Sequence, residues 1–159
     1  MSQVIRLATI DDVDLILRFV IKLAEYERLA DAVRADRDIL AASLFGDRPA
    51  AETLIVELDG KPVGMAMFFH NFSTFEGRRG LYLEDLFVEP EARGSGIGKA
   101  LLKRLAQIAI ERDCARFEWA VLDWNEPAIG FYRALGAVGQ DEWTIQRLEG
   151  EALSRLALS

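Results

Sequence analysis

A strand, a glycine loop and a helix follow one another in Leu81-Tyr82-Leu83-Glu84-Asp85-Leu86-Phe87-Val88-Glu89-Pro90-Glu91-Ala92-Arg93-Gly94-Ser95-Gly96-Ile97-Gly98-Lys99. The apolar, aromatic-rich run Leu81–Val88 predicts a strand, and Pro90 ends it. Three glycines then open directly into Gly96–Arg112, where Ile97, Leu101, Leu105, Ile108 and Ala109 recur on one helical face. The first amides of a helix lack intrahelical acceptors, and the helix dipole adds partial positive charge there. Glycines let an anion approach those amides without a Cβ in the way. Arg93 and Lys99 add full charges. The pattern suits a phosphate, although a plain glycine-rich helix start has the same composition. Neither Gly-x4-Gly-Lys-Ser/Thr nor Gly-x-Gly-x-x-Gly is present, which excludes two common nucleotide loops.

On the N-terminal side, Val4–Leu7 reads as a strand. Thr9, with Asp12 three residues on, reads as a helix cap. Ile16, Phe19, Val20 and Leu23 carry a helix to about Arg28, and a second helix runs from after Asp36 to Gly46. Thr53–Leu58 and Pro62–Phe69 form a hairpin about Asp59-Gly60. Phe72–Gly80 reads as a polar loop. On the C-terminal side come a strand at Arg116–Leu122 and a helix at Asn125–Leu135, with Pro127 in its first turn and Gly136 as its cap. Two more strands are expected near Ala137–Gln140 and Trp143–Leu148. This order predicts a single domain over 1–159. Its class is α+β, with a mixed, mostly antiparallel central sheet flanked by helices and at least one right-handed crossover.

The chain has 159 residues, 51% of them hydrophobic, enough for one core without a disulfide or metal. No apolar run approaches the about 20 residues that span a bilayer, and Met1–Arg6 lacks a signal peptide's features, so a cytoplasmic location is expected. The net charge of −7 disfavours nucleic acid. One cysteine, Cys114, and one histidine, His70, exclude an intrachain disulfide and a Cys/His zinc site by number. No metal is expected. Cys114 reads as a buried structural thiol, and nothing in the sequence brings it to His70.

Trp124-Asn125-Glu126-Pro127-Ala128-Ile129-Gly130-Phe131-Tyr132 is the second motif. Asn125, at the helix start, shares a face with Ala128 and Tyr132. A capped core helix has the same appearance. Arg93-Gly94-Ser95-Gly96-Ile97-Gly98 resembles the Arg/Gln-x-x-Gly-x-Gly/Ala coenzyme A signature of the GNAT acetyltransferase superfamily. Asn125 and Tyr132 resemble its second signature. The resemblance implies an acetyl-CoA co-substrate. Its pyrophosphate would lie on the loop Arg93–Lys99, and its pantetheine arm on amides around Phe87 and Val88. Asn125 and Tyr132 would flank it, with Tyr132 protonating the leaving thiolate. A phenol of pKa about 10 serves a thiolate of about 8.5 when it is well positioned.

Over nearly its full length the chain is similar to the diamine acetyltransferases of the spermidine/spermine and thialysine type. The densest matches are Leu23–Glu27, Leu81–Asp85, Arg93–Gly98 and Trp124–Pro127. The resemblance implies that Glu84 strips the amine through water. Tyr26, Glu27, Asp85 and Trp143 would hold the cationic acceptor. An alkylamine of pKa about 10.4 must lose a proton before it attacks, and a positioned carboxylate is worth about 10²–10⁴ in rate. Neighbours on a strand point to opposite faces, so Glu84 and Asp85 share a wall only through a bulge. An arginine partner is the structural alternative for Asp85. One departure is Ser73, which stands where the diamine enzymes carry an acid. Glu76 compensates only if the loop shifts, and Arg78 and Arg79 add positive charge, which counts against long polycations. The resemblance also implies a homodimer, and aromatic residues near Phe68–Phe75 fit one. The leading reading is direct attack by a small-molecule primary amine in a ternary complex. The alternatives are peptide or protein N-acetylation and a non-catalytic acetyl-CoA-binding module. The joint presence of Glu84, Asn125 and Tyr132 favours catalysis.

Overall fold

Asp59 and Gly60 both take positive φ, 50° and 82°, the backbone a two-residue hairpin turn needs. They join β2 (Glu52–Leu58) to β3 (Lys61–Ser73). With β1 (Gln3–Leu7), β4 (Arg78–Val88) and β5 (Phe117–Trp119), these form one sheet in the order β1-β2-β3-β4-β5. The first four strands are antiparallel, and β5 joins β4 in parallel. This is a computed structural model, and it describes residues 2–159. The chain forms two compact units, residues 1–120 and 121–159.

In the first unit, α1 (Val13–Tyr26) and α2 (Arg37–Phe45) cover one sheet face. Val13, Ile16, Phe19, Leu40 and Leu44 pack there against Ile55, Met65, Met67 and Phe87. The Phe19 and Phe87 rings lie 5.4 Å apart. Just before α1, Asp12 closes the 3-10 turn Ile10–Asp12: its carboxylate accepts from the Thr9 amide at 2.7 Å and from the Arg6 guanidinium at 2.8 and 2.9 Å. By strand alternation Leu86 faces the other way from Phe87. There it approaches Gly98 in α3 (Ile97–Glu111). The α3 residues Leu101 and Leu105 are fully buried. The sheet is thus a middle layer, and α3 is the crossover from β4 to its parallel partner β5.

The expected polar loop Phe72–Gly80 is mostly strand. Register continues through Phe72↔Arg79 and Ser73↔Arg78, leaving only residues 74–77 as the turn. Ser73 is buried, and its Oγ accepts from the Glu76 amide at 3.3 Å. Cross-strand pairing extends both strands where their polar composition gives no apolar alternation to read.

The second unit contains α4 (Glu126–Ala134) and α5 (Gly150–Leu158). Gly136, at φ 96°, follows α4 as expected of a cap. The strands expected near Ala137–Gln140 and Trp143–Leu148 do not form, and the strand expected over Arg116–Leu122 shortens to β5. An apolar run becomes a strand only when a neighbour pairs with it, and no strand among the described residues pairs with residues 137–149. No helix among the described residues is long and apolar enough to cross a membrane.

Phe19→Ala should cost about 3–5 kcal/mol in urea unfolding, because its ring joins α1 to Phe87 in the core. A loss under about 1 kcal/mol would contradict this placement.

Candidate active site

The pairing of β3 with β4 breaks once. Met67 faces Asp85 and Phe68 faces Leu83, so Glu84 is the extra residue of a β-bulge. Directly paired residues point to the same face. Asp85 therefore shares the α1 face with Met67 and Phe87, and Leu83 goes with Phe68 to the α3 face. Tyr82, paired with Phe69, also lies on the α1 side, with the two rings 5.2 Å apart. Simple alternation would have separated Tyr82 from Asp85. The bulge brings them to one face and leaves Glu84 exposed between them. Pairing with β5 ends at Leu83↔Trp119, one residue before the bulge. Beyond it, residues 84–88 of β4 have no strand on that edge among the described residues.

Asp85 is half-buried, and its pKa is pushed up to about 6. Burial is the main cause, followed by the charges of Glu84 and Glu27. No cation offsets them, so the arginine partner considered for Asp85 is not formed among the described residues. Glu27, just after α1, is raised by its own burial. The Tyr82 phenol is raised by burial, then by Glu84, Glu118 and Asp85. An acidic cluster with no counter-charge on Asp85 among the described residues attracts a cation and supplies a proton acceptor near neutral pH. Tyr82 and Glu118 were not singled out from sequence. Glu118 sits opposite Tyr82 on β5, where it accepts from Arg116 Nε at 2.9 Å and Asn71 Nδ2 at 3.2 Å. Only the strand register reveals that juxtaposition.

The glycine loop, Arg93–Lys99, begins five residues after the last residue of β4, Val88. Gly94 and Gly96 have φ of 84° and 83°, which side-chain-bearing residues rarely adopt. A Cβ at either would meet no protein atom, so the space outside them is open. Asp36 caps α2 with a 2.9 Å bond to Ile39 N, and Asn125 caps α4 with a 3.4 Å bond to Ala128 N. The cap of α3 is Gly96, which offers no side-chain acceptor. The amides of Ile97, Gly98 and Lys99 therefore lack an intrahelical acceptor. The Ile97 side chain is buried, so only its backbone can serve a ligand. The Ser95 hydroxyl donates to Ala92 O at 2.6 Å and shapes the loop itself. Lys99 is exposed.

Arg93 does not simply project as a free charge. Its Nε donates to Val88 O at 2.8 Å, and its guanidinium lies 5.2 Å from the Tyr26 ring centre and 5.8 Å from that of Phe87. The Phe87 side chain belongs to the core, so Phe87 and Val88 offer only backbone groups. The first unit thus gathers Tyr26, Glu27, Glu84, Asp85, Phe87, Val88 and Arg93–Lys99 around one end of β4. Asn125, Tyr132 and Trp143 belong to the second unit. There Asn125 and Tyr132 share a face of α4 across two turns. Trp143 is 81% exposed and lies in no strand. Ser73 is the last residue of β3, next to the turn it caps through the Glu76 amide, and Arg78 is neutralised by Asp113 at 3.1 Å.

His70 and Cys114 do meet, contrary to the expectation from sequence. Cys114 is partly exposed, and its Sγ lies 3.7 Å from His70 Nδ1, because β3 register and the end of α3 converge there. The same Nδ1 faces Gly80 O at 3.1 Å, and Nε2 faces Arg112 Nη1 at 2.9 Å. A carbonyl only accepts and a guanidinium only donates, so Nδ1 carries the proton and Nε2 accepts. That tautomer has no free lone pair to take the Cys114 proton.

The acetyltransferase (GNAT) family profile matches residues 19–137. A thialysine N-epsilon-acetyltransferase from Sus scrofa is 41% identical over 98% of both chains. An L-ornithine N5-acetyltransferase from Arabidopsis thaliana is 30% identical over 96% of this chain and 86% of its own. Among solved structures, an integron cassette protein from the mobile metagenome of V. cholerae superposes with a TM-score of 0.84 at 31% identity, over 100% of this chain and 99% of that one. The chain belongs to the GNAT acetyltransferase family. It is an amine N-acetyltransferase, and acetyl-CoA is the co-substrate of that family.

Asp85 holds its proton more tightly in the folded chain than in the unfolded one, where its pKa is about 3.9. Its ionisation therefore lowers stability as pH rises from about 4 to about 6, and the full cost remains above that. Asp85→Asn should be more stable than the parent by about 1–2 kcal/mol in urea at pH 7.5, with the gain gone by about pH 4. Equal or lower stability at pH 7.5 would count against the unpaired acid.

Proposed function

We propose that the acceptor is a primary amine on a short, cationic small molecule, of the kind carried by the side chains of thialysine and ornithine. It attacks acetyl-CoA directly in a ternary complex. The acids Glu27, Glu84 and Asp85, with no cation offsetting Asp85 among the described residues, carry this reading, together with the stretch of β4 beyond its pairing with β5 and the glycine loop. The amine arrives as an ammonium and is drawn by the three carboxylates. The Glu84–Asp85 pair takes its proton, Glu84 through water. The elevated Asp85 makes the pair a better acceptor near neutral pH than an ordinary carboxylate. The loop amides of Gly94–Lys99 take the pyrophosphate, and main-chain groups at Phe87 and Val88 take the pantetheine arm.

Tyr132 is assigned the thiolate-protonating role, and Asn125 a place beside the cofactor, because their motif matches the family's second signature. Tyr26 and Trp143 are both assigned to the acceptor by the same resemblance. Both units belong to one acetyltransferase domain in this reading, since the family match runs from the first unit into the second, to residue 137. A homodimer is part of it, supported by the exposed side chains of Trp143, Ile145, Leu148, Leu153 and Leu156. Short acceptors are favoured over long polyamines, because Ser73 is committed to its turn and offers no carboxylate for a further ammonium.

The test is acetyl-CoA-dependent thiol release with thialysine, ornithine, lysine, putrescine, spermidine and a short peptide. Turnover should be highest on the amino-acid side-chain amines. A peptide as the best acceptor, or silence across the panel with acetyl-CoA still bound, would overturn the reading. Tyr132→Phe should lower kcat about 10²-fold with little change in acetyl-CoA affinity, and an unchanged kcat would remove its acid role.

A further inference from the structure

Two contacts bind α1 to the chain that leads into the glycine loop. Lys22 Nζ lies 2.6 Å from Glu89 Oε1, and the Arg93 guanidinium lies over the Tyr26 ring. Lys22 and Tyr26 are four residues apart, so they sit one above the other on the same helix face. Glu89 and Arg93 bracket the short 3-10 turn Pro90–Ala92, whose closing bond runs from Arg93 N to Pro90 O at 3.2 Å. The contacts are therefore two rungs of one clasp, from successive turns of α1 to both ends of one turn. The lower rung is not incidental, since Glu89 is buried and its carboxylate would be costly there without Lys22. The upper rung is pinned on its far side, because Arg93 Nε also holds Val88 O. Tyr26 is the last residue of α1, and Glu27, of the acidic cluster, follows it directly.

We infer that this clasp couples occupation of the glycine loop to the placement of Tyr26 and Glu27. Arg93 is then a positioning residue for the acceptor side and not a phosphate ligand. The inference rests on reading residues 93–99 as the acetyl-CoA loop. It goes further in assigning a task to Lys22, Glu89 and the Arg93 side chain that loop binding does not require. A ligand that fixes Arg93 and its flanking turn steadies the end of α1, so the acceptor site is better ordered once acetyl-CoA is bound.

Backbone hydrogen exchange of the full chain, with and without saturating acetyl-CoA, tests this. In the parent chain, acetyl-CoA should slow exchange over residues 93–99, and by roughly fivefold or more over residues 24–32. In Arg93→Ala and in Lys22→Met, slowing over 93–99 should persist, while slowing over 24–32 should fall below about twofold. Lys22→Met keeps the loop sequence intact, so it stands if Arg93→Ala folds poorly. Unchanged slowing over 24–32 in both variants would overturn the coupling. So would loss of acetyl-CoA binding in Arg93→Ala beside full coupling in Lys22→Met, the pattern of a phosphate ligand. A parent chain that shows no slowing over 93–99 would overturn the reading of the loop itself, and no variant is needed to see it.

Discussion

One inserted residue, Glu84, organises the working end of this protein. A regular β4 would place Tyr82 and Glu84 on one face and Asp85 on the other. The bulge breaks that alternation, so Tyr82 and Asp85 share the α1 face and Glu84 stands exposed between them. It also coincides with the end of β4–β5 pairing, so the next five residues have no strand partner on that edge among the described residues. The arrangement of the acids comes from this one irregularity in the β3–β4 ladder.

The surrounding structure holds that irregularity in place. Phe87, two residues beyond Asp85, packs on Phe19 and fixes β4 against α1. Leu86 faces α3 on the opposite side, near Gly98 in its first turn. The helix that presents free amides is thus anchored to the strand that presents the acids. Burial of Asp85 beside Glu27 and Glu84 raises the energy of its charged form. A fold bears such a cost where a cationic ligand relieves it. A cationic amine has that chemistry, which joins the electrostatics to the family's reaction.

Much of this was legible in the sequence, for particular reasons. The strand, glycine loop and helix at Leu81–Lys99 announce themselves through apolar periodicity and glycine spacing, and the two signatures identify the family. The Asp59-Gly60 hairpin, the Asp36–Gly46 helix and the Asn125 cap were legible because their determinants are local. Register was not. Nothing in Leu83-Glu84-Asp85 says which residue is extra, so the bulge stood only as a condition. Tyr82 and Glu118 were missed for the same reason, as was the approach of Cys114 to His70. The Arg93 side chain was read by its charge, whereas its nearest partners are a carbonyl and two aromatic rings. Strands near Ala137–Gln140 and Trp143–Leu148 were expected from apolar content alone, and no paired neighbour turns that content into a sheet.

The central claim is that the bulged acid pair, with Asp85 elevated, deprotonates the acceptor. The pH dependence of kcat/KM for the best amine of the panel, in the parent and in Asp85→Asn, tests it most directly. The parent should show a rising limb with an apparent pKa near 6, and that limb should vanish or fall to an ordinary carboxylate value in Asp85→Asn. The same limb in both proteins would contradict the account.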